Sequence, residues 1–198
     1  MLKWVGAAFV VPAAVALGYG EPVWPFLASG AVTAGCGLAL DRITGPKQGA
    51  AVGPRESFLV VALLWLLIPV FGALPFLLGD VPQLSNPVDA YFESVSGFTA
   101  TGASVLTNVE GLDRSVLFWR QFSHWLGGMG IVVLAVAVLP RLRVGGRRLL
   151  QSELAGPTEI ERFSETIRET ARRLWRLYAG LTVAAVLGLA ILGWTRIR

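Results

Sequence analysis

An all-α membrane protein is predicted, with about five transmembrane helices plus one re-entrant helix and the loop that follows it. Three observations predict it. Of the 198 residues, 54% are hydrophobic and only 15% are charged, against about 25% charged in a soluble domain. The mean hydropathy is +0.62. The charges gather between uncharged runs, each close to the roughly 20 residues that cross a bilayer. These figures exclude a disordered chain. A single cysteine, Cys36, excludes a disulfide framework, a cysteine-rich zinc site and a paired-cysteine redox centre.

The first two apolar runs, residues 4–20 and 22–40, are separated by Gly20-Glu21-Pro22, a turn signal carrying a charge. The first run follows Lys3, as a secretory signal would. No small-x-small cleavage site follows it and a second span begins at once, so both are read as spans. Residues 57–79 are uncharged throughout, residues 121–140 hold one histidine among apolar and small residues, and residues 177–195 make the fifth span.

Basic residues set the orientation. With the N-terminus inside, the inner segments carry Lys3, Arg42, Lys47, Arg55 and every arginine from Arg141 to Arg176, thirteen of the 17 positive charges. Arg114, Arg120, Arg196 and Arg198 fall outside. The pI near 9.8 is therefore a topology signal and an attraction to anionic headgroups. No basic face on a soluble domain is visible, so no nucleic-acid partner is expected.

About 40 residues on the outer side join the third and fourth spans, and they hold a helix of their own. Asn86 is a good cap and Pro87 suits the first helical position, where its missing N–H would be unpaired anyway. Asp89 lies in the first turn, where the helix dipole favours an anion. The helix is expected over 87–97, with Gly97 as the residue that leaves it. Such a length rises about 15 Å, half a bilayer. Irregular backbone at that depth is tolerated when it is buried in protein or lines a watery path. The helix would enter from outside, so its partly negative C-terminal end would favour a cation. The run Phe98-Thr99-Ala100-Thr101-Gly102-Ala103-Ser104 could present backbone carbonyls as a substitute hydration shell. Gly102 supplies backbone freedom there. Read on spacing alone, an outer loop with an amphipathic surface helix fits equally well.

At this point two linked motifs carry a resemblance. SGFTATGAS, followed by WLGGMGIVVLAVAVLP, resembles the TrkH/KtrB family of bacterial potassium uptake proteins, most strongly over residues 85–150. The resemblance implies four helix–pore loop–helix repeats around one pore, of which this chain holds the first. Residues 1–56 would be two leading helices and an inner loop, and 57–140 a complete repeat with pore helix 87–97 and filter strand 99–103. Residues 141–176 would be a cytoplasmic basic and amphipathic segment, and 177–198 the outer helix of an incomplete second repeat. It further implies potassium coordination by the backbone of Thr99, Ala100, Thr101, Gly102 and Ala103, with Gly102 as the filter glycine. Ala100 stands where many members have threonine. The chain is read as an N-terminal portion of a potassium-translocating subunit in the inner membrane, N-terminus cytoplasmic. No cofactor is implied beyond the transported potassium. The implied partners are the bilayer, the remaining pore repeats, a second pore subunit and a cytosolic TrkA/KtrA-type nucleotide-binding regulator.

The other constellations are weaker. Gly127-Gly128-Met129-Gly130 reads as close helix packing ahead of a hinge, and Ala184 with Gly188 as a similar stripe. His124 stands alone, without the parts of a metal site or of a nucleophilic triad. Glu93 is either a vestibule charge or a hydrogen-bonded structural carboxylate. Gly45-Pro46-Lys47-Gln48-Gly49 does not fit a phosphate loop. Ile160, Phe163, Ile167, Ala171 and Leu174 form one apolar helix face, with Glu165–Arg168, Glu169–Arg172 and Glu169–Arg173 at pairing distance. No enzymatic activity is expected. The rival reading is a non-transporting multi-pass scaffold or assembly subunit.

Overall fold

The computed structural model describes residues 2–44, 54–142 and 157–193. Among them the chain is helical, with no strand. It runs α1 (Leu2–Ala8), α2 (Val10–Tyr19), α3 (Trp24–Thr44), α4 (Pro54–Gly72), α5 (Leu74–Leu78), a 3₁₀ turn (Pro82–Leu84), α6 (Pro87–Phe98), α7 (Arg114–Leu142) and α8 (Pro157–Ile191). Three helical segments, Trp24–Ile43, Leu59–Leu78 and Glu169–Ile191, are long and apolar enough to cross a bilayer, and Trp4–Tyr19 is a shorter apolar one. With 29 residues, α7 rises about 43 Å at 1.5 Å per residue, which exceeds a bilayer core.

Two expected spans are interrupted, both near prolines. The run 4–20 breaks at Phe9, between α1 and α2. Pro12, in the first turn of α2, has no N–H to continue the ladder of the preceding helix, so a new helix begins there instead. The run 57–79 breaks at Ala73, with Pro69 inside α4 and Pro75 in the first turn of α5. The break leaves the Gly72 carbonyl free to accept a hydrogen bond from Trp119 Nε1 at 2.9 Å. The half-length helix forms as its signals predict, since Asn86 Oδ1 accepts from the Val88 amide at 3.0 Å and Pro87 opens the first turn.

The chain divides into two compact units, Met1–Gly128 and Met129–Arg198. In the first, α1 and α2 pack on α3, and α6 packs against α4, α5 and the 3₁₀ turn. Its core is aromatic. Trp119 is fully buried, with Phe9 at 4.5 Å and Phe98 at 6.1 Å between ring centroids. This cluster joins the leading helices, the half-length helix and α7 around one indole.

In the second unit the amphipathic segment and the span that follows are a single helix, α8, and not two elements. No helix-breaking residue intervenes, so the periodic polar face passes directly into the apolar run. Glu169 and Arg173 pair at 2.5 Å across one turn. Leu177, Leu181, Val183, Val186 and Leu187 are exposed, the surface expected of a helix in lipid. Gly188 has open space around it. The loop 45–49, the side chains of Ile160, Phe163 and Ile167 and the Glu165–Arg168 pair lie outside the described residues.

Candidate functional site

The site is built from the C-terminal end of α6 and the irregular segment after it. With 12 residues, α6 rises about 18 Å and cannot cross. Ala90, Glu93, Ser94, Ser96, Gly97 and Phe98 are its buried positions.

The helix does not leave at Gly97, as the sequence suggested. It runs to Phe98 and is closed one step later by a Schellman arrangement, with the Thr101 amide on the Ser96 carbonyl at 3.0 Å and the Ala100 amide on the Gly97 carbonyl at 2.9 Å. Ala100 therefore takes the left-handed position, at φ 52°, where glycine is usual. Gly97 is required for another reason. A Cβ there would collide with Ser123 Oγ of α7. Gly127 meets the same helix end, since a Cβ there would collide with the Phe98 carbonyl. Of the two readings of the Gly127 run, Gly127 takes close packing.

The five residues expected to bind through their backbone lie together, and they divide into two groups. Among the described residues, no hydrogen-bond donor is bonded to the carbonyl oxygens of Thr99, Ala100, Thr101 or Gly102. The Ala103 carbonyl instead accepts from Ser96 Oγ at 2.5 Å. Thr99 Oγ1 bonds back to the Val95 carbonyl at 2.8 Å and lies 2.7 Å from Thr101 Oγ1. These hydroxyls thus fix the backbone of the turn. Gly102 adopts φ 78° with nothing within 4 Å of a Cβ position, so its need is conformational and not spatial. Four successive carbonyls that no donor among the described residues occupies, at the negative end of a helix, are acceptors of the kind that can replace a cation's water.

Two residues hold the stretch that follows this segment and a third caps α7, and sequence reasoning missed two of the three. Glu93, 1% exposed, is a structural carboxylate and not a vestibule charge. Its Oε1 accepts from Arg120 Nε at 2.5 Å, and its Oε2 accepts from Ser104 Oγ at 3.0 Å and the Val105 amide at 3.2 Å. Gln83 grips the exit further on. Its Oε1 accepts from the Thr107 and Asn108 amides, and its Nε2 donates to the Asn108 carbonyl at 2.9 Å. Glu21, read from sequence only as part of a turn, caps α7 by accepting from the Arg114 and Ser115 amides, each at 2.8 Å. Burial pushes the Glu21 carboxyl up, but the hydrogen bonds from Ser115 and Arg114, with the Arg114 charge, hold it below its ordinary value. The lone His124 places Nδ1 2.8 Å from the Arg120 carbonyl, one turn back in α7.

Apolar helices of spanning length beside a half-length helix define a multi-pass helical membrane protein. The family model for TrkH, a cation transport protein, matches residues 38–196, and the chain belongs to that family. It is 41% identical over 188 residues to the Trk system potassium uptake protein TrkH of Halomonas elongata, covering 94% of this chain and 39% of the relative. It is 39% identical over 196 residues to the protein of the same name from Vibrio parahaemolyticus, covering 98% of this chain and 40% of the relative. The crystal structure of the potassium transporter TrkH from Vibrio parahaemolyticus superposes with a TM-score of 0.79 at 37% identity, covering 97% of this chain and 37% of that one. The chain thus spans about two fifths of the length of the curated relatives it matches.

Proposed function

We propose that this chain supplies one filter segment of a potassium-conducting pore, as part of a Trk-type uptake system in the inner membrane. The carrying observation is the run of unbonded carbonyls from Thr99 to Gly102 at the C-terminal end of α6. Potassium enters a filter by exchanging its hydration shell for such oxygens. The relatives' names, potassium uptake proteins, support potassium as the cargo. One segment is an arc and not a ring, so the remaining acceptors come from further pore repeats. Ala103 belongs to the segment but serves it by closing back onto Ser96. The distribution of basic residues supports a cytoplasmic N-terminus and a cytoplasmic segment 141–176. A TrkA-type nucleotide-binding regulator is the partner proposed for that face, and a second pore subunit completes the assembly.

The test is a chimera in which this chain replaces the matching part of the Vibrio parahaemolyticus relative. It is expressed in a bacterium without its own potassium uptake systems, at limiting potassium. Growth is expected. A chimera that reaches the membrane and restores no potassium uptake would refute the reading.

A further inference from the structure

Resting on that filter reading, we propose that Glu93 and Arg120 are a charge-balanced positioning pair for the filter. The carboxylate fixes the end of the loop, and the guanidinium cancels the charge that the carboxylate would otherwise place behind the ion site. The segment 101–106 has no strand partner among the described residues to impose its shape. Its shape must come from side chains. Glu93 provides it at Ser104 and Val105, the two residues that follow the proposed filter, and Ser104 Oγ passes the restraint on to the Leu106 amide at 3.1 Å. At the near end the same segment is fixed by the close of α6, where the Ala100 amide bonds the Gly97 carbonyl and the Thr101 amide the Ser96 carbonyl, while Ser96 Oγ adds a bond to the Ala103 carbonyl on the far side. The carbonyls of Thr99 to Gly102 are therefore slung between two fixed points.

The charge needs its own explanation, because a neutral glutamine could accept the same two bonds from Ser104 and Val105. The Glu93 side chain is 0% exposed and that of Arg120 is 12% exposed. An unpaired carboxylate in such surroundings is costly, and close behind a cation site it would also hold the ion too tightly to release, whereas conduction requires weak binding. Arg120 removes that excess. Hydrogen bonds to the loop then come from the strongest available acceptor, a carboxylate, without a net charge.

The pair makes two signed predictions that a merely structural role does not. In the chimera, Glu93→Gln leaves Arg120 unbalanced, and the apparent KM for potassium is expected to rise at least threefold. Arg120→Gln leaves the carboxylate unbalanced, so KM is expected to fall at least threefold with a fall in maximal uptake. The double variant Glu93→Gln/Arg120→Gln is expected to return KM to within about twofold of the parent. Single variants shifting KM in the same direction, or a double variant as impaired as the worse single one, would overturn the proposal. A second measurement uses residues 1–198 alone in membranes and does not depend on transport. Leu106→Cys, at a buried position, is placed in a Cys36→Ser background and labelled with a thiol reagent. Adding Glu93→Ala is expected to raise the labelling rate at least fivefold, and adding Glu93→Gln less than twofold. Equal rates in all three would show that Glu93 does not hold the loop, whatever ion the protein carries.

Discussion

Gly127 of α7 lies directly against the Phe98 carbonyl at the end of α6, so closely that no Cβ fits between them. The two helices that frame the candidate ion site therefore touch backbone to backbone.

Gly127→Ala is expected to destabilise the protein by about 1–3 kcal/mol, the usual cost of forcing a methyl group into a packed interior. The obstacle is a carbonyl oxygen, which cannot rotate away as a side chain would. Thermal unfolding in detergent should show a lowered Tm for this variant. Gly180→Ala, at a site with nothing within 4 Å, should leave Tm unchanged or slightly raised. Equal Tm values for Gly127→Ala and the parent would refute the contact.

Glu21 links the leading helices to the start of α7, and its carboxyl is held below its ordinary value of 4.5. A group whose folded value is depressed contributes stability above its unfolded value and loses it as pH falls through the folded one. Glu21→Gln should therefore be less stable than the parent at pH 7, by no more than about 1 kcal/mol because solvent screens a largely exposed carboxylate. The gap should narrow as pH falls below 4.5. Stability curves of the two proteins that run parallel from pH 7 to pH 3 would contradict this account.

Gly102 needs a left-handed backbone and no particular space, so its substitutions should rank by conformational cost. Asparagine tolerates that region better than serine, and a β-branched residue tolerates it worst. In the chimera, potassium-over-sodium discrimination should fall in the order Gly, Asn, Ser, Val. A series that instead follows side-chain volume, with Ser above Asn, would point to a spatial constraint that the structure lacks.

The topology can be checked separately from the site. In a Cys36→Ser background, an impermeant thiol reagent applied to intact cells should label Glu110→Cys and spare Gln151→Cys. The reverse result would invert the orientation drawn from the basic residues.

Asn86-Pro87 marks a helix start in the sequence, and the cap forms there. Such a signal is local, because a cap and the amide it satisfies are two residues apart. Membrane class, the half-length helix and the glycine-bearing loop were legible on the same footing, from hydropathy, helix rise and short motifs. The end of α6 lies beyond Gly97, although Gly97 resembles a local stop. Its lack of a side chain instead serves a contact with Ser123 that only packing reveals. The roles of Arg120, Gln83 and Glu21 had no local sign. Arg120 lies 27 residues from Glu93, Gln83 lies 24 and 25 from the residues it grips, and Glu21 lies 93 and 94 from the amides it caps. Periodicity and propensity describe how a residue meets water, lipid and its own turn. They do not say which distant backbone group will lack a partner once the helices pack, and these three side chains supply partners that only the tertiary structure makes necessary.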